Sequence, residues 1–258
     1  MSGEQVKQAA IGIIFGLLYF LIVLYLCISM SILNSNWAPN FPWYPIPVLI
    51  ITISSIYLIN LRWDIGLTIP ADRPWGKIYA FALAITLAGF AISALQGAYN
   101  GMIRGTEGGP GTTSPALEIA GAFTVPVAVA VIAEIGYRGI MFPRVQKAFG
   151  LWPAVLIVGF INTVAHRWED YSPRWLGMFV LLAGLCYLRH MSGSVVPPLV
   201  THVVMNIVVA IGFWFWGPWD QGAMSTSWLA AFAVLALISL AVAIYLARSD
   251  RRQFYRQP

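Results

Sequence analysis

Charge is what this sequence lacks. Only 10% of its 258 residues are Asp, Glu, Lys or Arg, where a soluble domain carries roughly 25%. That shortfall excludes an ordinary soluble domain. Cysteine is nearly absent too: Cys27 and Cys186 are the only two, and both fall inside long apolar runs. Neither a disulfide framework nor a metal-ligand spacing can be drawn from them, so both read as small buried hydrophobes. The chain also lacks an internal repeat, a low-complexity linker and any stretch polar enough for a separate soluble domain. It reads as a single membrane domain over residues 1–258.

What fills the space is hydrophobic residues, 59% of the chain. Residues 9–33 and 228–247 contain no Asp, Glu, Lys or Arg at all, and about 20 apolar residues suffice to cross a bilayer as a helix. The first run exceeds a signal-peptide core and has no A-x-A-like cleavage site, so it reads as a retained helix. Eight spans are predicted: 9–33, 46–62, 78–96, 116–142, 152–166, 175–189, 195–216 and 228–247, with the fifth and sixth the shortest. The fold class is therefore an all-α, polytopic membrane helix bundle. An even count puts both termini on one side. Lys7, Arg62, Arg73, Lys77, Arg144, Lys147, Arg189, Arg248, Arg251, Arg252 and Arg256 share that side, against Arg104, Arg167 and Arg174 opposite. The positive-inside rule places it in the cytoplasm. The net charge of +5 is thus assigned to membrane topology, and no nucleic-acid partner is expected. On the opposite side, NSNWAPNFPWYP (35–46) reads as an aromatic interfacial loop and TEGGPGTTSP (106–115) as a flexible connector.

Against this apolar background a few polar residues stand out. Glu134 and Arg138 lie in span four, Asn162 and His166 in span five, His202 and Asn206 in span seven. An ionisable group at mid-bilayer costs on the order of 2.5–3.5 kcal/mol on insertion scales, so it must find a partner or a wet cavity. Each pair is spaced i, i+4, one helical turn apart. Counted along helices from the cytoplasmic ends, Glu134 lies roughly 14 Å deep, His166 roughly 21 Å and His202 roughly 10 Å; the middle of the hydrocarbon is at about 15 Å. One carboxylate, two imidazoles and a carboxamide converging there supply a general base, a general acid and an oxyanion donor. Taken singly, each residue is as well explained by helix–helix hydrogen bonding.

Three motifs give the set a family. AEIGYRG (133–139), NTVAH (162–166) and HVVMN (202–206) resemble the Glu-Glu-x-x-x-Arg-Gly, Phe-x-x-x-His and His-x-x-x-Asn/Asp motifs of the CPBP intramembrane proteases, which include the CAAX prenyl endopeptidases and bacteriocin-processing or immunity proteins. The resemblance covers about residues 116–211. It implies a catalytic set of Glu134, Arg138, His166, His202 and Asn206, with a Glu/His-activated water attacking a peptide carbonyl and the remaining His and Asn stabilising the oxyanion. It implies a membrane-tethered substrate, a class that includes lipidated proteins of prenylated CAAX type, and a multi-pass location in the plasma or inner membrane if the source is prokaryotic. A divalent metal is implied only by the family's metalloprotease label; two His and one acid are a thin ligand set, and H-E-x-x-H is absent. Two positions depart from the pattern. Asn162 replaces the usual Phe, and Ala133 stands where the family places its water-activating Glu. Three readings of Ala133 remain open: Glu134 substitutes, the chain is a non-proteolytic scaffold or immunity-type binding protein, or the residue was exchanged to inactivate the site. Whether the chain is an enzyme stays open with them. A proton-coupled carrier is disfavoured by the missing repeats; a rhomboid or aspartyl intramembrane protease is disfavoured by the missing serine motif and paired membrane Asp residues.

Overall fold

A computed structural model describes residues 3–37, 43–99, 115–169, 175–216 and 225–254. They form α1 (Gly3–Trp37), α2 (Pro45–Arg62), α3 (Trp75–Tyr99), α4 (Pro115–Ala133), a π-helical segment (Glu134–Met141), α5 (Phe142–Phe149), α6 (Leu151–Glu169), α7 (Trp175–Ser192), α8 (Val196–Trp216) and α9 (Thr226–Phe254). No strand occurs among the described residues. Because α4, the π segment and α5 follow one another without a break, the elements make eight rods, as expected. Among the described residues, six stretches are long and apolar enough to cross a membrane: Gly3–Asn34, Pro45–Arg62, Trp75–Gln96, Phe123–Phe149, Trp175–Ser192 and Thr226–Ser249. Leu151–Ala165 and Val196–Val209 are shorter apolar helices among the described residues. The chain is an integral, multi-pass membrane protein with an all-helical fold.

Two boundaries differ from expectation. The sixth span was predicted to be short, yet it runs the full Trp175–Ser192. The fourth was predicted to end near Pro143, but its rod continues to Phe149. A proline in the first turn of a helix sacrifices no intrahelical bond, so Pro143 opens α5 instead of ending the rod. Gly150, with φ 85°, stops it. Most of the 106–115 connector and residues 38–42 of the aromatic loop lie outside the described residues. The loop's end is fixed by Asn34, whose Oδ1 accepts the backbone N–H groups of Trp43 (2.7 Å) and Tyr44 (2.9 Å).

The α4–π–α5 rod runs through the middle of the bundle. Every residue from Glu134 to Met141 is buried, whereas α2 and α9 turn residues such as Leu58, Leu61, Leu237 and Tyr245 outward, as lipid-facing surfaces do. Between helices in lipid there is no hydrophobic drive, so close backbone approach through small residues carries the packing. Here α1 packs on the π segment where a Cβ on Gly16 would come within 2.7 Å of the Gly136 carbonyl. The Ala183 backbone passes 2.9 Å from the Cβ position of Gly159, which brings α6 onto α7. The α2–α3 connection also reaches inward: Ile65 is fully buried and its Cβ lies 3.1 Å from where a Cβ on Gly139 would be. These contacts hold the π segment from two sides and fix where its polar side chains point.

Candidate active site

The segment that sequence reasoning treated as an α-helix is wound as a π-helix, with i→i+5 hydrogen bonds, a rare form found frequently at functional sites. The ion pair expected from the i, i+4 spacing nevertheless forms. Arg138 Nη1 donates to Glu134 Oε1 at 3.1 Å, both side chains being fully buried. The second arm of the guanidinium, Nη2, donates to the Leu182 carbonyl of α7 at 2.6 Å. Arg138 thus ties the central rod to α7 while neutralising the carboxylate.

His202 arrives from α8. Its Nδ1 lies 2.8 Å from the same Glu134 Oε1, and the ring is buried. An ionised carboxylate has no proton to give, so Nδ1 is the donor and, in the neutral ring, Nε2 carries the lone pair. One turn further along α8, Asn206 Nδ2 donates to the Pro126 carbonyl of α4 at 2.8 Å. Both bonds bind α8 to the central rod and fix the rotation of the helix that carries His202. Glu134 Oε2 is buried and receives no hydrogen bond from the described residues, so both donors crowd onto one carboxylate oxygen.

Of the residues singled out from the sequence, Glu134, Arg138 and His202 therefore meet, and Asn206 lies one turn from His202 with its amide turned to α4. Ala133, fully buried, is the last residue before the π winding begins. Asn162 is buried on α6, a helix that also reaches the π segment. The backbone of His166 belongs to α6, but its side chain lies outside the described residues. The Leu182 and Pro126 carbonyls went unanticipated, because a backbone acceptor leaves no mark in a residue's identity.

A divalent cation does not fit the described donors. The one described carboxylate takes a guanidinium and an imidazole N–H on Oε1, and a cation on its other oxygen would have to sit beside the Arg138 charge. No group of three His, Cys, Asp or Glu residues suited to a metal occurs among the described residues. What the cluster can do is hold and pass a proton: a carboxyl group, a guanidinium and an imidazole, all buried and bonded to one another.

A buried carboxylate–imidazole–guanidinium cluster inside a polytopic helix bundle defines a membrane protein with an intramembrane acid–base site. Residues 115–208 match the family model of the type II CAAX prenyl endopeptidase Rce1-like proteins. The match runs from the start of α4 into α8, nearly the stretch over which the three motifs resemble the CPBP family, and contains the whole cluster. In this core the chain is similar to the CPBP intramembrane proteases, a family that includes the CAAX-type intramembrane endopeptidases. Neither the curated proteins nor the solved structures gave a match.

Proposed function

We propose that the chain hydrolyses peptide bonds of membrane-anchored substrates, prenylated CAAX-type proteins included, with His202 as the base that Ala133 is not. The observation that carries this reading is the 2.8 Å contact of His202 Nδ1 with Glu134 Oε1. A carboxylate accepting from Nδ1–H fixes the tautomer, aims Nε2 and stabilises the imidazolium that forms, as the acid of a catalytic triad does. A water proton passes to Nε2, the resulting hydroxide adds to the carbonyl carbon, and collapse of the tetrahedral intermediate expels the amine, which takes the proton back. His166, and the amide hydrogen that Asn206 does not spend on Pro126, are assigned to the oxyanion, as the resemblance implies. No step uses a metal. The setting is the plasma or inner membrane if the source is prokaryotic, with both termini in the cytoplasm.

Ala133 favours a second reading, a scaffold or immunity-type binding protein that has kept the fold and lost the base. Assaying the chain and its Ala133→Glu variant in proteoliposomes against membrane-tethered peptides, with and without a prenyl group, separates the two. A general base contributes about 10²–10⁴-fold, so slow cleavage by the chain, lost in His202→Ala and raised on the order of 10²-fold by Ala133→Glu, supports the hydrolase. Binding of the tethered peptide without cleavage by either form supports the scaffold.

A further inference from the structure

The connection between α2 and α3 touches both rods of the cluster through two successive residues. Ile65 is fully buried, and its Cβ and Cγ2 lie 3.1 and 3.5 Å from where a Cβ on Gly139 would be. Gly139 directly follows Arg138, so Ile65 presses on the π segment beside the guanidinium that holds Glu134. The next residue, Gly66, meets the other rod. Its carbonyl accepts the Val195 N–H at 2.8 Å and the Ser194 hydroxyl at 3.0 Å. Those two residues immediately precede α8, the helix that carries His202.

The chain at this point is built to stay where it is. Asp64 Oδ1 accepts the Gly66 N–H at 2.8 Å, a local side-chain bond that closes the turn. Gly66 has φ 73°, a left-handed conformation that favours glycine. The guanidinium of Arg189, from the last turn of α7, lies where a Cβ on Gly66 would be. Across the contact, the Ser192 hydroxyl donates to the Ser194 carbonyl at 2.8 Å and closes the turn between α7 and α8. Both rods are thus held to one short piece of chain, each within about two helical turns of its cluster residue.

We propose that Ile65 and Gly66 are positioning residues that set the approach of His202 to Glu134. The 2.8 Å contact of Nδ1 with Oε1 joins side chains from two different rods, so it survives only if the rods keep their relative height. Asn206 ties α8 to α4 one turn beyond His202, and the Gly66 carbonyl holds the same helix on the other side of it, so His202 is fixed from both directions. A misplacement of about 1 Å can cost on the order of 10²-fold in rate. The rate consequence rests on the proposed hydrolysis; the setting of the contact does not.

The test compares two substitutions of similar chemistry and different shape, in the full chain in detergent micelles. Ile65→Val keeps Cβ and Cγ2, the atoms that meet Gly139, whereas Ile65→Leu loses the branch at Cβ and puts its bulk one carbon further out. Ile85→Leu is the matched control, because Ile85 faces Gly184 through the same two atoms where α3 packs on α7. The chain has three His; with isotope-labelled histidine, the Nδ1–H of His202 is the nuclear magnetic resonance signal lost in His202→Ala. In Ile65→Leu that proton should exchange with solvent on the order of ten-fold faster, the effect of a shape change in a packed site, and kcat for a tethered peptide should fall with KM unchanged. Ile65→Val and Ile85→Leu should leave both readouts as they are. If Ile65→Leu does not fold, Ser194→Ala, which takes one donor from the Gly66 carbonyl, is expected to shift both in the same direction by less. An unchanged Nδ1–H in the folded variant, an equal change in Ile85→Leu, or a loosened Nδ1–H with kcat intact overturns the proposal. If no form cleaves the peptide, the hydrolase reading falls, and the Nδ1–H comparison alone decides whether the contact is set from Ile65 and Gly66.

Discussion

Replacing Arg138 by Met nearly preserves side-chain length while removing a charge, the 3.1 Å bond to Glu134 and the 2.6 Å bond to the Leu182 carbonyl. Arg138 is fully buried, so no water replaces what is lost. Deleting one partner of a buried ion pair costs about 3–5 kcal/mol, mostly because the other charge is stranded. A stranded carboxylate at bilayer depth costs a similar amount, on the order of 3 kcal/mol. Arg138→Met should thus lower the folded-to-unfolded ratio by at least about 10². Glu134→Gln should be destabilising for the mirror-image reason. The double variant removes both charges and strands neither, so it should be more stable than Arg138→Met alone, leaving a coupling at or above the upper end of the usual range of about 0.5–3 kcal/mol. Unfolding by denaturing detergent in mixed micelles, followed through the fluorescence of the 11 Trp residues, measures all four corners of the cycle. A double variant as unstable as the sum of the singles would refute the idea that these two groups neutralise each other.

Gly16→Leu should prevent α1 from seating on the π segment, since even a Cβ there meets the Gly136 carbonyl at 2.7 Å; expect a loss of several degrees in melting temperature and any peptidase activity to fall with it. Asn206→Leu removes the bond to Pro126 and should cost about 0.6–1.7 kcal/mol, the range of polar contacts between membrane helices, readable in the same micelle unfolding. His202→Ala should abolish residual cleavage while Glu134→Gln leaves a measurable remainder, because the Gln carbonyl still accepts from Nδ1–H; equal and complete loss in both, in a peptide assay with folded protein, would make Glu134 itself the base.

The eight rods were legible because apolar runs of bilayer length leave few alternatives, and the pairing of Glu134 with Arg138 because a lone charge there is too costly to leave unmatched. The approach of His202 was legible only through the motif it sits in: nothing in spacing alone says that α8 faces the central rod. The π winding was not legible. It accompanies Gly136 lying against Gly16 of α1 and Gly139 lying under Ile65, contacts between residues far apart in sequence. Pro143 misled because a proline ends a helix or opens one according to where the turns before it lie, and here it opens α5. That Arg189 covers Gly66 and Arg73 covers Gly193 was hidden for a related reason: the arginines had already been explained by topology.

The arrangement around Glu134 bears on what Ala133 removed. A carboxylate that abstracts a proton from water needs an oxygen directed at that water; Oε2 is buried and receives no hydrogen bond from the described residues, and Oε1 is already shared by a guanidinium and an imidazole. Freeing it would unpair Arg138 and release His202 at once, at the several kcal/mol that stranding a buried charge costs. Left in place, the same two bonds are useful: they hold Glu134 in position, and with Nδ1 donating they leave Nε2 as the basic nitrogen of His202. The second motif acid is thus built to orient. A Glu at 133, one residue earlier on the same rod, would project in a different direction, about 100° away on an α-helix and less on the wider π turn, and would add a base without disturbing this brace. The brace is complete without it, which is why the fold and the ion pair survive in a chain whose residue 133 is alanine.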